Sequence, residues 1–509
     1  MTQRPTLSRL ASGIIALAAL AALGAPAAAF AQAPPLSESI VVGAWTFRPS
    51  VEIRVRGEYR RDDLGLVGIP TAAQEALSES LFAIKGLDSL TTQNAWALSE
   101  RARFGLKVDR GPVTGTFVLQ DSRIIGDDSA IFPGSPGPGY IGGLGGLGAA
   151  AGFGTSVYEA YVDIHSRSGR PMFLRLGRQR VVWGEGRLVG ESDWSPTPRS
   201  LHAARFGFQV GDFDIEAMAA LLLPPGLYPV PSANPPPNTT LVRSTGAQLY
   251  GLDVKWHFVP LLNLELTGLA RVARDLYQAG SPPLIPGDTY VIDGRLFGDR
   301  RGFRYALEGA VELGRVASFG VNRDIMAFAG ALKTSLETAL PWHLTFDFHS
   351  SFASGDYDGN TPDSTLTRFD PILPDEFANH SPMGLYGWSN LLEIGGGLSA
   401  KPYEELNLHV GYRFAALASD EGPWLTSSSV LVGRSDPGTR DQGGFPSAGG
   451  LPVLGHEIDI AATFTPWEPV EFKAGYGLFL AGDSMSALTG PGPLGAQHWA
   501  FLQTLVRAP

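Results

Sequence analysis

Charged side chains recur at every second position in several stretches of this chain, and their types and spacing are the first features that could do chemistry. Arg54, Arg56 and Arg60 share one parity, as do Arg101, Arg103 and Lys107; Asp212, Asp214 and Glu216 place three carboxylates together, and Glu308 and Glu312 add two more. Carboxylates on one face could cleave a glycosidic bond, one protonating the leaving oxygen while another acts as base or nucleophile. Guanidinium groups on one face could hold carboxylates or phosphates. The signatures that would commit the chain to hydrolase, metalloprotease, redox or nucleotide chemistry, GxSxG, HExxH, CxxC and the P-loop, do not occur. The sequence therefore reads as a non-enzyme whose charges line a wall that faces water.

Such a pattern needs strands, because only an extended chain shows every second side chain to one face. Over residues 51–60, Val51, Ile53, Val55, Gly57 and Tyr59 alternate with Glu52, Arg54, Arg56, Glu58 and Arg60. The parity recurs over residues 101–109, 158–164, 250–258, 262–272, 304–313, 344–348, 406–414, 458–464 and 470–478. It is weaker over 114–120, 172–180, 203–210, 213–222, 290–297, 325–337, 391–400 and 497–506. Segments of about ten residues with one apolar and one polar face suit a wall between lipid and water. They predict an all-β fold, a transmembrane antiparallel β-barrel of about 18 strands, wide enough for an aqueous channel.

Connections alternate in length. Short ones fall near Gly111, Gly169, Asp212, Pro260, Arg301, Leu340, Pro402 and Glu468, and long ones span residues 61–98, 122–156, 184–201, 223–245, 275–289, 354–390 and 419–455. Short periplasmic turns and long extracellular loops, with an even strand count, place both termini in the periplasm.

Residues 1–31 have the layout of a secretory signal peptide: Arg4 and Arg9, an apolar run from Ile14 to Leu23, then Ala29-Phe30-Ala31. The barrel then occupies residues 32–509. With no cysteine to cross-link it, this exported chain must rely on closed backbone pairing or a large core. Its 63 glycines and 39 prolines suit many turns. With 39 basic against 50 acidic residues it carries a net charge of −11, which excludes nucleic acid as an expected partner.

Two loops stand out. Residues 126–155 are rich in glycine and proline and could lie outside or fold into the pore as a constriction. Residues 354–390 hold Asp356, Asp358, Asn360 and Asp363, oxygen donors that could take a surface calcium ion; no other metal or cofactor is implied. Trp183, Trp194, Trp256, Trp388, Trp467 and Trp499 fall mostly at strand ends and are expected in the aromatic girdle at the headgroup level.

Residues 176–206 close one strand and open another through Gly177-Arg178-Gln179, then Trp183-Gly184-Glu185-Gly186-Arg187, then Asp193-Trp194-Ser195 and Arg199. This stretch closely resembles the hallmark segment of the alginate export family of bacterial outer-membrane barrels. Ala353-Ser354-Gly355-Asp356 with Phe369-Asp370-Pro371, and Gly455-His456-Glu457-Ile458-Asp459, resemble further blocks of that family. The resemblance implies a bacterial outer-membrane channel through which an anionic exopolysaccharide leaves the periplasm passively, with membrane lipid as a partner and periplasmic assembly partners as an option. A general porin for small hydrophilic solutes, and a secreted β-rich polysaccharide-binding or polysaccharide-degrading protein, are the competing readings.

Alternation on strand 172–180 would send Arg178 and Arg180 toward lipid with Leu174 and Leu176, at about 2 to 4 kcal/mol each near the midplane. A bulge at Gly177 would flip the parity and turn both, like Arg175, into the lumen. The alternative is that both arginines sit at the headgroup level. The basic set on the first two strands is expected to face the acidic set, Asp212, Asp214, Glu216, Glu308 and Glu312, across the pore.

Overall fold

The computed structural model describes residues 39–63, 93–126, 154–166, 171–223, 226–229, 241–244, 246–273, 287–318, 321–357, 365–375, 377–427, 431–432, 451–487 and 494–508. Eighteen antiparallel strands close into a barrel. In chain order they are β1 (Trp45–Asp63), β2 (Gln93–Arg110), β3 (Val113–Gly126), β4 (Gly154–His165), β5 (Met172–Gln179), β6 (Leu201–Val210), β7 (Phe213–Leu223), β8 (Ala247–Val259), β9 (Leu262–Ala273), β10 (Gly287–Arg300), β11 (Phe303–Ser318), β12 (Val321–Glu337), β13 (Thr345–Ala353), β14 (Leu391–Tyr403), β15 (Leu406–Ala416), β16 (Val453–Trp467), β17 (Val470–Ala481) and β18 (Gln497–Ala508). Each pairs with its neighbours in sequence. The circuit closes where β1 meets β18, from Val51 opposite Ala508 to Arg61 opposite His498. Closure leaves no open edge, as lipid requires of any sheet that crosses it.

Alternation has the expected consequence. Outer positions carry Ile53, Val55, Phe104, Leu252, Ile292, Met326 and Phe328, all exposed, whereas the alternate positions Arg54, Arg56, Arg101, Asp253, Glu308 and Glu393 are buried inside. Short turns such as those between Arg110 and Val113, Val210 and Phe213, and Arg300 and Phe303 lie at one end, together with the start of β1 and the end of β18. The long connections leave from the other end.

Gly177 does not form a bulge. It pairs in register with Tyr161 and Ala203, and its φ of 130° serves a close approach, since a Cβ there would lie 2.2 Å from the Ala160 carbonyl oxygen. The register slips one strand earlier, where Tyr158 has no partner between Val157 and Glu159. That bulge directs both Tyr158 and Glu159 into the interior, both buried, and brings the Tyr158 ring under Arg103 at 4.2 Å.

Candidate functional site

Residues 180–200, which join β5 to β6, turn inward from the barrel rim. Their course is fixed by four arginines that the first two strands present to the lumen. Arg54 donates to the carbonyls of Asp193 (2.6 Å), Trp194 (3.1 Å) and Ser195 (2.9 Å). Arg56 donates to Trp194 O at 2.7 Å, and its guanidinium lies 3.9 Å over the indole. Arg101 reaches the Asp193 carbonyl at 3.0 Å, and Arg103 reaches the Asp193 carboxylate at 3.1 Å. Burial alone would raise the Asp193 carboxyl, but Arg101, Arg103 and Arg54 outweigh it and hold the group down at about 2. Trp194 completes the seat, edge-on to Phe501 at 4.9 Å and Trp499 at 5.8 Å.

Residues 365–390 enter beside them. Phe369 and Trp388 pack at 5.2 Å, the Asp370 N–H donates to Glu312 at 2.9 Å, and Arg60 donates to Met383 O at 2.9 Å. Ser381 Oγ and the Met383 N–H both donate to Glu457, and His380 Nδ1 lies 2.8 Å from Glu393. The two inserted segments are joined to each other. Gly190 N–H donates to Leu373 O at 2.8 Å and Leu373 N–H returns to Leu188 O at 2.9 Å, while Arg199 caps the Gly190, Leu373 and Pro374 carbonyls. Gly190 must be small here, because a Cβ would fall 2.7 Å from Asp375 N.

Beneath this seam lies an apolar core inside the barrel. Trp183, Leu188, Val189, Phe369, Ile372 and Leu373 pack with Met218, Leu249, Leu269, Ala310, Ile325 and Ala327 of the wall. Each such Leu, Ile or Val stabilises the insertion by about 1.5 to 3 kcal/mol. Gly251 leaves room for the Trp183 indole, whose ring would be 2.4 Å from a Cβ at that position. The pair of segments thus forms a fixed internal constriction, held to the β1–β2 wall by charge and to the β7–β12 wall by apolar contact.

A family model described as alginate export matches residues 154–223 and 281–491, which include both inserted segments and much of the wall that seats them. The chain belongs to the alginate export family. Its fold is similar to that of OccD3 (OpdP) of Pseudomonas aeruginosa, with a TM-score of 0.50 at 12% identity over 90% of this chain and 91% of that one. It is equally similar to OccAB2 of Acinetobacter baumannii, with a TM-score of 0.50 at 11% identity over 90% and 97%. No curated protein matches the sequence. This alginate export barrel is an outer-membrane channel for solute or polysaccharide passage, and its family and fold are those of channel proteins.

Within the alginate export barrel, the sequence-derived site residues divide by what they touch. Arg54, Arg56, Arg60, Arg101 and Arg103 do point inward, yet they are buried under the inserted segments instead of facing open lumen. Lys107 lies exposed nearer the short turns. Glu216 binds Arg205 at 2.6 Å and accepts from Trp183 Nε1 at 3.0 Å, Asp214 meets His257 at 2.9 Å, and Asp212 sits in a short turn. Glu308 pairs with Arg187 at 3.0 Å. Most charges of the expected transverse field are therefore spent on each other and on loop main chain, because the inserted segments supply partners that strand parity does not reveal.

Arg175 pairs with Asp163 at 2.6 Å on the inner face, and Arg180 lies between Glu159 and Glu191, each at 3.3 Å. Arg178 is on the outer face, since the register holds through Gly177; it sits opposite His202, with Nη1 3.2 Å from Nε2, at the rim. There the cost of a lipid-facing arginine falls to about 0 to 1 kcal/mol. Gln179 donates to Ala203 O at 2.9 Å, and Gly186, at φ 76°, turns the chain against Asp375.

Four of the six tryptophans expected in the girdle lie inside: Trp183, Trp388 and Trp499 are buried, and Trp194 packs against the core. Trp256 and Trp467 are exposed at strand ends. Asp356 is engaged with Arg323 at 3.1 Å and both are buried, while Asp358, Asn360 and Asp363 lie outside the described residues. So does nearly all of the Gly-rich stretch 126–155, including residues 139–152 at its centre. Strand parity did not reveal residues 365–390 as a lumen segment; the signal was their apolar content, Phe369, Ile372, Leu373, Met383, Leu385 and Trp388, which a surface loop would not carry.

Proposed function

We propose that this barrel lets an anionic, uronate-type exopolysaccharide, or hydrophilic solutes of similar chemistry, pass by diffusion beside the paired inserted segments, with no catalytic step and no cofactor. The observation that carries the reading is the alginate export match across both segments, taken with their seating on Arg54, Arg56, Arg101 and Arg103. Such a seat narrows a barrel otherwise wide enough for an open aqueous channel. The carboxylates that could have served hydrolysis are held by Arg205, Arg187 and a main-chain N–H, an arrangement suited to fixing structure. Residues 1–31 act in this reading as the export signal, so that the mature chain starts at Gln32.

Single-channel recording in a planar bilayer tests it. Uronate oligomers should interrupt the current for times that lengthen with chain length, and neutral oligomers of equal size should do so less. A current interrupted equally by both would favour the small-solute porin, and absence of any conductance would remove the channel reading for this polymer.

A further inference from the structure

The outer face of β15 to β18 and β1 carries a polar patch at the long-loop rim that the channel does not use. Tyr412 Oη lies 2.8 Å from His456 Nδ1, and Tyr476 Oη lies 2.6 Å from His498 Nδ1. His498 stands directly opposite Arg61 in the β1–β18 pairing. By parity all five side chains face away from the lumen, since Arg413, Glu457, Gly477, Trp499 and Arg60 take the inner positions beside them.

Each imidazole spends Nδ1 on a tyrosine hydroxyl, and neither Nε2 has a hydrogen bond among the described residues. Arg61 is 59% exposed and gives only its Nε to Asp62, at 3.1 Å, which leaves its terminal nitrogens. Below this rim the same face is apolar: Tyr59, Ile460, Phe472 and Leu502 are all exposed. His456, His498 and Arg61 lie within three residues of their strand ends.

We propose that this patch binds the phosphate headgroup of an acidic membrane lipid, with the acyl chains lying along the apolar face beneath. Arg61 and the facing His498 offer a guanidinium and an imidazole to a phosphate, and His456, two strands away and opposite Leu480, offers a second imidazole. The lipid-facing position, continuous with apolar surface, selects a phosphate that carries acyl chains over a free one. The long-loop end is the extracellular end in barrels of this class, so the lipid belongs to the outer leaflet. This site is independent of what passes through the lumen.

The test uses the full-length barrel in a neutral detergent, titrated with diphosphorylated lipid A, with the same lipid stripped of phosphate, and with inorganic phosphate, and bound species are counted by native mass spectrometry. Retention of the phosphorylated lipid alone is expected, weakened about tenfold or more by Arg61→Ala combined with His456→Gln and His498→Gln. Arg61→Ala by itself, an exposed change that leaves every strand pairing intact, carries the test should the triple variant not fold. Equal retention of the dephosphorylated lipid, saturation by inorganic phosphate at the same concentration, or unchanged retention by the variants would each overturn the proposal.

Discussion

Arg101 grips Asp193 twice, its Nη1 lying 3.0 Å from the main-chain carbonyl and 3.1 Å from the carboxylate. One residue of the β2 wall thereby fixes both the path of the inserted segment and the side chain at its turn. Arg103 holds the same carboxylate, so the two act as a unit. Replacing both by Ala leaves Asp193 without its ion-pair partners and Glu52 with Arg507 alone, and because the Asp193 carboxylate is 41% exposed the cost falls below the roughly 3 to 5 kcal/mol of breaking a fully buried pair. The segment should then leave its seat while the barrel stays closed. Larger single-channel conductance and new protease cleavage within residues 184–200 are expected, and wild-type behaviour in both would show that the arginines do not hold it.

The same contact sets an acid limit. The Asp193 carboxyl titrates at about 2, below its ordinary value of 3.8, because Arg101, Arg103 and Arg54 oppose the effect of burial. A depressed carboxyl contributes fully above its ordinary value, and the contribution is lost as pH falls through the depressed one. The part of the conductance that Asp193 sets should therefore be constant from neutral pH down to about pH 4 and change toward pH 2. Asp193→Asn should show the acid-state conductance already at pH 7, and a transition centred near pH 5 would point to other groups.

Strand parity was legible because lipid and water impose opposite demands on alternate residues. Val51, Ile53 and Val55 against Arg54 and Arg56 required little else, and the count of 18 followed from repetition. What parity cannot show is what fills the lumen. Inner positions of β7 to β12 near the long-loop end hold Met218, Leu249, Leu269 and Ala327, so both faces are apolar there and the inner one reads as weak alternation. Its partner is residues 365–390, far along the chain, and only their apolar content hinted that a long connection folds inward. Arg178 was misdirected for a related reason: a glycine within a strand suggests a bulge, but Gly177 serves a close approach to Ala160 and the register runs through it.

The tryptophans separate lipid-facing from lumen positions in a single measurement. Trp96, Trp256 and Trp467 are exposed on the barrel, whereas Trp388 is 2% exposed and donates to Phe352 O at 3.1 Å. In bilayers of brominated lipid, Trp96→Phe, Trp256→Phe and Trp467→Phe should each reduce the fraction of fluorescence that is quenched. Trp388→Phe should leave the quenched component unchanged, and loss of that component in this variant would place its ring against lipid.

Selectivity should follow the cations that have no counter-charge. Arg205 and Glu216 form a pair at 2.6 Å, and the field of such a pair falls off faster than that of a lone charge. Lys473 differs. It projects inward from β17 opposite Gln503, with Nζ 5.5 Å from the centre of the Trp194 ring, and makes no ion pair among the described residues. Lys107, on β2, is likewise without one. Screening confines a charge to about 10 Å at 0.1 M salt, so only unpaired groups close to the passage are felt. Lys473 meets that condition because it stands beside the seat of the constriction. In a salt gradient across a planar bilayer, Lys473→Gln should move the reversal potential toward cation preference, and Lys107→Gln should do so by less. The double change Arg205→Gln with Glu216→Gln removes equal and opposite charges and should leave the potential where it was. A shift from that double change larger than the one from Lys473→Gln would mean that paired wall charges set selectivity after all.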